Sequence, residues 1–315
     1  MPEIKHIEVV PYNPTWPQMF EEEAVRIKQA LGENCLEVHP IGSTAVPGLR
    51  AKPIIDLLPV VSDIQKVDQA ASAMKALGYE AKGENGILFR RFFQKGGKRR
   101  THNVHVFEEG SPEIEKHLIF RDWMRSHEKN REEYAQLKQR LAEQFPDDIM
   151  GYSVGKNMLI KDILRETGDE GLTIVLCLLD EEWTAAKAMR QKYFFDKVPV
   201  EDPHQWTFDN PDHRHLVLYQ GPDIVGYAHI QLWPDQRAAL RIIVIDEPFR
   251  NHDLGAYFLA KCEKWLKQQG YQIFQTEASP DALPFFEKHG YNPMPFNDSD
   301  GYENDCRNTP VGKRL

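Results

Sequence analysis

The stretch RIIVIDEPFRNHDLGAYFLAKCEKWLKQQG, Arg241 to Gly270, carries the pattern that decides the fold of the second half of the chain. The run Ile242-Ile243-Val244-Ile245 reads as a buried strand, followed by a polar loop. Leu254 then opens a helix whose apolar positions recur at helical spacing until Gln269, before the stop at Gly270. Amide groups exposed at such a helix start hold an anion, assisted by the helix dipole. Arg250 adds a charge suited to phosphate, and Gly255 keeps side-chain bulk off the backbone. Asp253 is the discordant residue, a carboxylate where such a loop would most want glycine.

Read outward, the pattern extends in both directions. Downstream come a strand (Gln272–Glu277), a short helix (Asp281–Lys288) and a final strand from Tyr291. Upstream lie a strand (Thr173–Leu179), a helix (Asp180–Phe194), an irregular stretch rich in Pro, His and Asp, and strands through HLVLYQ, IVGYAHIQLW and ALRIIVI. This mixed order implies α/β or α+β layers, not a bundle or a sandwich. His213 and His215 in PDHRHL alternate as strand residues do and read as a surface edge.

This half resembles the GNAT N-acetyltransferase family over most of residues 172–296. The family's cofactor motif, R/Q-x-x-G-x-G/A, falls on Arg250-Asn251-His252-Asp253-Leu254-Gly255. A second signature falls on SPDALPFFEKHGY, with Ser279, Ala282, Phe285, Phe286, Gly290 and Tyr291 at the matching positions. The resemblance implies a GNAT acyl-CoA N-acyltransferase fold, acetyl-CoA as donor and a primary amine of a small molecule as acceptor. The cofactor would lie against Ile243 and Ile245, the loop and helix start through Ala256, and Ser279, Phe285 and Phe286. A backbone amide near Ile245 would stabilise the oxyanion.

Two departures from the family pattern bear on activity. Asp253 accepts left-handed backbone and caps helices well, but two like charges about 4 Å apart at a surface-like dielectric repel by about 4 kcal/mol before salt screening. Weakened acetyl-CoA binding is the expectation. Phe286 stands where the family usually carries a tyrosine acting as general acid, and phenylalanine has no proton to give. A leaving thiol with a pKa near 8.5 departs readily as thiolate. Tyr257 or Tyr227 would be the substitutes. An ammonium acceptor must first lose a proton, and Asp246 and Glu247, directly after the strand, are the candidate carboxylates. In the loop EDPHQWTFDNPDH, Trp206, Phe208 and several acids would suit a cationic amine.

RETGDEGLTIVLCLL (Arg165–Leu179) marks the division of the chain, with Gly168 as a helix stop. This places the domains at 1–168 and 169–315. The first half reads as a strand, a Pro-rich turn, a helix from about Trp16, a buried strand PIIDLLPVV, a hairpin turning at Gly96-Gly97, and a helix capped by Ser111 and Pro112. Helical sequence continues to about Arg165, broken near Pro146.

HPIGSTAVPGLRAKPIIDLLPVV, with YNPTWPQMFEEE and HNVHVFEEGSPEIEKHLIFRDWMR, resembles the GrpB family, a branch of the nucleotidyltransferase-like superfamily, over roughly Ile7–Arg165. The resemblance implies a mixed sheet with helices, a glycine-serine turn that cradles triphosphate, and carboxylates that hold two Mg²⁺ ions. Gly42-Ser43 is present and Asp56 follows after 12 residues. The partner position is Leu58, and His102, Asn103 and His105 offer no acid on the strand that would supply a third. Mg²⁺ in this half is therefore not expected. Phosphate binding survives better: Ser43, Thr44, Lys52, Arg90, Arg91 and the KGGKRR turn (Lys95–Arg100) would form a basic pocket beside Asp56, with His105 nearby.

Composition sets the outer limits. The chain has 315 residues, 41% hydrophobic and 10% aromatic, an ordinary globular composition long enough for two domains. Its net charge of -9 is uneven: 24 Lys and Arg against 25 Asp and Glu in residues 1–168, then 15 against 23. An acidic half does not suit nucleic acid and would favour a cationic partner. The apolar run LTIVLCLL is too short to span a bilayer, and MPEIKHIEVV lacks the features of a signal peptide. Cys35, Cys177, Cys262 and Cys306 stand singly, without zinc spacing, which suits a reduced cytoplasmic protein. The resemblance allows a homodimer.

The leading reading is a two-domain enzyme whose second half acetylates an amine while the first binds a nucleotide-like or phosphorylated ligand. A sensor with degenerate sites, favoured by Asp253, Phe286 and Leu58, is the alternative from another class. Nucleotidyl transfer by the first half is the third.

Overall fold

Trp16, Phe20, Ala24, Ile27 and Leu31 recur every three or four residues, so the segment Trp16–Leu31 folds as helix α1 and buries that stripe. The computed structural model describes residues 7–196, 202–298 and 307–315; Glu201 and Cys306 lie outside them. Contacts divide the chain into one unit of Met1–Thr173 with Gln220–Pro222 and a second of Ile174–Tyr219 with Asp223–Leu315.

In the first unit α1 is followed by β1 (Cys35–Ile41), β2 (Ile55–Val61), α2 (Lys66–Gln69), α3 (Ala71–Ala76), β3 (Tyr79–Ala81), β4 (Arg91–Lys95) and β5 (His102–Glu108). Four helices complete it: α4 (Pro112–Ser126), α5 (Glu128–Gln144), α6 (Ile149–Val154) and α7 (Asn157–Glu166). The sheet runs β1-β2-β5-β4-β3, with β2 and β5 parallel and the remaining pairs antiparallel. The hairpin between β4 and β5 turns at Gly96 and Gly97, both at positive φ, and a Cβ on Gly96 would lie 2.4 Å from the Arg99 carbonyl oxygen.

The two faces of this sheet bury different residues of β2. Leu57 and Val61 pack with α1, whereas Leu58 and Val60 join Ile41, Phe107 and, from α4, Ile114 and Leu118. Ser111 precedes α4 without a side-chain capping bond, and Pro112 opens the helix. Asp148 caps α6 instead, accepting from the Met150 and Gly151 amides at 3.0 Å.

The second sheet contains β6 (Leu172–Leu176), β7 (His213–Gln220), β8 (Asp223–Leu232), β9 (Arg237–Ile245), β10 (Ile273–Ala278), β11 (Asn292–Pro293) and β12 (Thr309–Arg314). Helices α8 (Asp180–Arg190), α9 (Leu254–Gln268) and α10 (Leu283–Lys288) interleave with the strands. The order is β11-β12-β10-β9-β8-β7-β6. Helix α8 runs on into one π turn, Gln191–Phe195, which ends the helical stretch expected from Asp180 to Phe194. The strand expected from Tyr291 is only the two-residue β11. The long final strand is β12, antiparallel to β10 from Ile273↔Arg314 to Ala278↔Thr309. TPVGKR carries Pro, Gly and two cations, so its strand identity comes from pairing and not from apolar alternation.

Candidate functional site

Strands β9 and β10 pair in parallel at Arg237↔Ile273, Ala238↔Phe274 and Ala239↔Gln275, and the Thr276 hydroxyl donates to the Leu240 carbonyl at 2.9 Å. Their ladder ends there. Beyond it a cavity of about 860 Å³ opens, with Arg241 to Ile245 on one wall and Thr276 to Ser279 on the other. Parted parallel strands leave backbone amides and carbonyls facing the opening, where an extended chain can pair with them. The cavity continues past Phe249 to the start of α9 and is closed by Phe285 and Phe286 of α10.

The helix start takes the form of an anion cradle with one exception. Asn251 and Asp253 both adopt positive φ, 68° and 55°, which turns the loop so that α9 begins at Leu254. Asp253 does not cap α9 with its side chain, which is exposed and lines the cavity. The helix-start amides are thus left for a ligand, but a carboxylate stands at the cradle's edge. Arg250 does not neutralise it: its Nε donates to the Ile245 carbonyl at 2.9 Å and its guanidinium sits 4.8 Å over Tyr193. At Gly255 a Cβ would meet the Phe285 ring at 3.7 Å, so the glycine leaves this wall clear.

Of the residues expected to contact a cofactor, Ile243, Ile245, Arg250, Asn251, Asp253 to Ala256, Ser279, Phe285 and Phe286 line this one cavity. His252 is exposed and is absent from its wall. Phe286 is buried against Phe285 and Tyr291, in edge-on contacts of 5.3 Å each.

Neither the proposed bases nor the tyrosines offered in place of a general acid at Phe286 line the cavity. Asp246 accepts from Lys192 at 2.9 Å and from the Tyr193 hydroxyl, and these bonds hold its pKa low against the opposing effect of burial. Glu247 is exposed, 4.0 Å from Arg250. Tyr257 sits beneath Lys261, at 5.2 Å. Tyr227 is buried, donating its hydroxyl to His215 at 2.8 Å.

Three carboxylates do line the cavity, Asp253, Glu277 and Asp281; of these Glu277 lies on β10, and its pKa is raised by burial and by neighbouring Asp298, against the pull of Arg241. Arg241 is itself tied to Asp298 at 2.6 Å and to Gln231 at 2.9 Å. A period-two reading of IFQTEA puts Glu277 on the face of Gln275, but the sequence alone does not show where β10 leaves β9.

His213 and His215 are not at a surface edge; both are buried. Arg190 donates to His229 Nδ1 at 3.2 Å, so His229 donates from Nε2 to His213 Nδ1 at 2.7 Å. His215 donates to the Thr207 carbonyl at 3.0 Å, and Arg190 pairs with Asp202 at 2.7 Å. Strand alternation failed as a guide because both faces of β7 are covered. Trp206 lies edge-on to His213, and Phe208 packs on Trp183 and His215, so neither lines the large cavity.

In the first unit Gly42, at φ 67°, brings the Ser43 turn against β2: a Cβ there would lie 2.5 Å from Asp56 Oδ2. Asp56 accepts from Asn103 at 2.9 Å, and burial raises its pKa. Thr44 is turned away, bonded to the Ile54 carbonyl at 3.2 Å. Arg91 is committed to Asp68 through two bonds of 2.7 and 2.8 Å, and Arg90 to the carbonyls of Glu84 and Asn85. His105 is half-buried beside His117, 5.5 Å away between ring centres. The basic pocket of Arg90 and Arg91 therefore does not form. The cations near Asp56 are Lys52, Lys156 and Arg100: Lys52 and, from the KGGKRR turn, Arg100 are the expected ones, whereas Lys156 comes from a helical segment that gave no sign of a site. Among the described residues no group of three or more His, Cys, Asp and Glu is placed to hold a metal. No described helix is long and apolar enough to cross a membrane.

Residues 6–166 match the family model described as GrpB protein, and residues 177–291 match that of the acetyltransferase (GNAT) family. The UPF0157 protein YqkA of Bacillus subtilis is 50% identical over 157 residues, covering 50% of this chain and 46% of that protein. The chain thus spans about half the length of this curated relative. The crystal structure of conserved protein GrpB from Enterococcus faecalis covers 50% of this chain and 96% of its own, at 45% identity and a TM-score of 0.49. A putative N-acetyltransferase from Lactobacillus plantarum covers 46% of this chain and 98% of its own, at 22% identity and a TM-score of 0.40.

Proposed function

Since the chain belongs to the GrpB protein family through residues 6–166 and carries a GNAT acetyltransferase domain across 177–291, we propose that it moves an acetyl group from acetyl-CoA to an amine of a small molecule. The observation that carries this reading is the opening between β9 and β10, onto which both sequence signatures converge. The pantetheine arm pairs with the free edge of Ile243 to Ile245, and the pyrophosphate rests on the amides at the start of α9. Asp253 weakens that contact without closing it.

Glu277 is the base in this reading. It takes a proton from the acceptor ammonium, directly or through water, and the neutral amine then attacks the thioester carbonyl. The C–N bond forms as the C–S bond breaks, the CoA sulfur leaves as thiolate, and the acylated nitrogen gives its second proton to that thiolate or to water. Phe286 supplies no proton, and a thiol of pKa near 8.5 does not require one. The acids Glu277 and Asp281 on the cavity wall suit a cationic acceptor. The first half binds a nucleotide-like or phosphorylated ligand, a role supported by the Gly42-Ser43 turn against Asp56. Leu58 belongs to the α4-facing core, so a two-metal carboxylate set is not assembled there.

Thiol release from acetyl-CoA by the full chain, measured against a panel of primary amines, tests the reading. Amine-dependent release that Glu277→Gln suppresses is expected. Acetyl-CoA binding without turnover of any amine would favour a sensor.

A further inference from the structure

Lys138 of α5 and Lys156, the residue before α7, join Lys52, from the segment before β2, at the end of the first sheet where Ser43 and Asp56 meet. Lys52 and Lys156 place their ammonium groups 4.5 and 4.7 Å from the centre of the same Tyr152 ring. Lys138, 2% exposed, lies over Tyr134 at 4.7 Å and donates to the Arg50 carbonyl. Tyr134 is in turn hydrogen-bonded to Ser43. The ion pairs among the described residues include none of the three lysines. Burial, together with mutual repulsion, pulls Lys138 down to about 7 and Lys156 to about 8, the latter against the opposing effect of Asp56.

One half-buried carboxylate faces this group of cations. Asp56 is already engaged by Asn103 and feels Lys52, Lys156 and Arg100 together. Two further buried atoms at the same place lack partners: Arg100 Nε, a donor, and Asn103 Oδ1, an acceptor. A protein interior does not keep surplus charge and orphaned polar atoms beside each other unless something else satisfies them.

We propose that Lys52, Lys138 and Lys156, with Arg100 and Ser43, form a binding site for a polyphosphate anion, whose charge is met by ammonium groups in place of metal ions. This deepens, and rests on, the reading of the first half as a binder of phosphorylated ligands. Lys52 and Lys156 contact the phosphates, and Lys138 adds its charge from behind Tyr134. Two sources share this chemistry, an inorganic polyphosphate and the tail of a nucleotide.

The test is calorimetric titration of the full chain with inorganic triphosphate and, separately, with ATP, both in EDTA. The site predicts binding in EDTA, weakened at least tenfold by Lys52→Gln and by Lys156→Gln. Equal affinity for the two probes identifies the phosphate chain as the whole determinant; tighter ATP binding identifies a nucleotide. Thermal unfolding of the ligand-free protein is the second readout. Removing one of several repelling ammoniums raises the midpoint, whereas loss of a purely structural prop on Tyr152 lowers it. ATP binding that needs Mg²⁺ and ignores both substitutions would overturn the lysine site while leaving a phosphorylated-ligand role intact. No binding of either probe would overturn both.

Discussion

Replacing Asp253 by asparagine removes its charge and keeps a residue that tolerates φ 55°. The side chain is exposed at the edge of the cavity, so the relevant dielectric is near that of water. A unit charge about 6 Å from a pyrophosphate of about two charges, at an effective dielectric of about 60, repels by about 2 kcal/mol. A Debye length of about 8 Å at physiological ionic strength roughly halves that, to about 1 kcal/mol. Asp253→Asn should therefore tighten acetyl-CoA binding about fivefold in Kd. Asp253→Gly should give about the same gain, because it changes the same charge. Isothermal titration of the three proteins at low and high salt is the assay, and the difference should shrink as salt rises. An unchanged or weaker Kd for both variants would refute the reasoning, since the carboxylate would then not face the bound anion. A gain for glycine alone would assign the effect to backbone geometry instead of charge.

Other consequences follow from the same geometry. Glu277→Gln should lower kcat by about a hundredfold near neutral pH with little change in acetyl-CoA affinity, and should flatten the acid limb of the pH–rate profile. His117 and His215 are each held near pKa 4, chiefly by burial, so both are neutral when folded and take up protons on unfolding below about pH 6.5. Their contribution is whole above that pH and fades as pH falls toward 4, by about 2 kcal/mol for each at pH 5; denaturant unfolding at pH 7 and pH 5 checks this. Asp202→Ala strands the Arg190 guanidinium, itself 2% exposed, and should destabilise the fold by about 3–5 kcal/mol in the same assay.

Much of the second half was legible because its signals are local. An apolar run, an Arg-containing loop and an amphipathic helix identify β9 and α9, and Ser279 to Tyr291 identify α10 and its flanks without reference to any distant residue. The first half declared Gly42, Ser43 and Asp56 in the same way, since a positive-φ glycine before a serine turn and a lone acid in an apolar strand are visible in one dimension. The sequence also determined that Leu58 and Phe286 lack the groups their positions would need for metal binding or proton donation.

The tertiary structure decided which charges meet. Glu277 became the candidate base, in place of Asp246 and Glu247, because β9 and β10 part beyond Ala239 and Gln275, and where two strands separate depends on everything packed around them. Arg90 and Arg91 left the anion pocket for local carbonyls and Asp68, while Lys138 and Lys156 entered it from helices far along the chain. His213 and His215 went inside because both faces of β7 are covered. Local sequence sets the period of a strand or a helix. Which face is buried, and which cation reaches which anion, is fixed by contacts between residues tens of positions apart, and those exist only once the chain has folded.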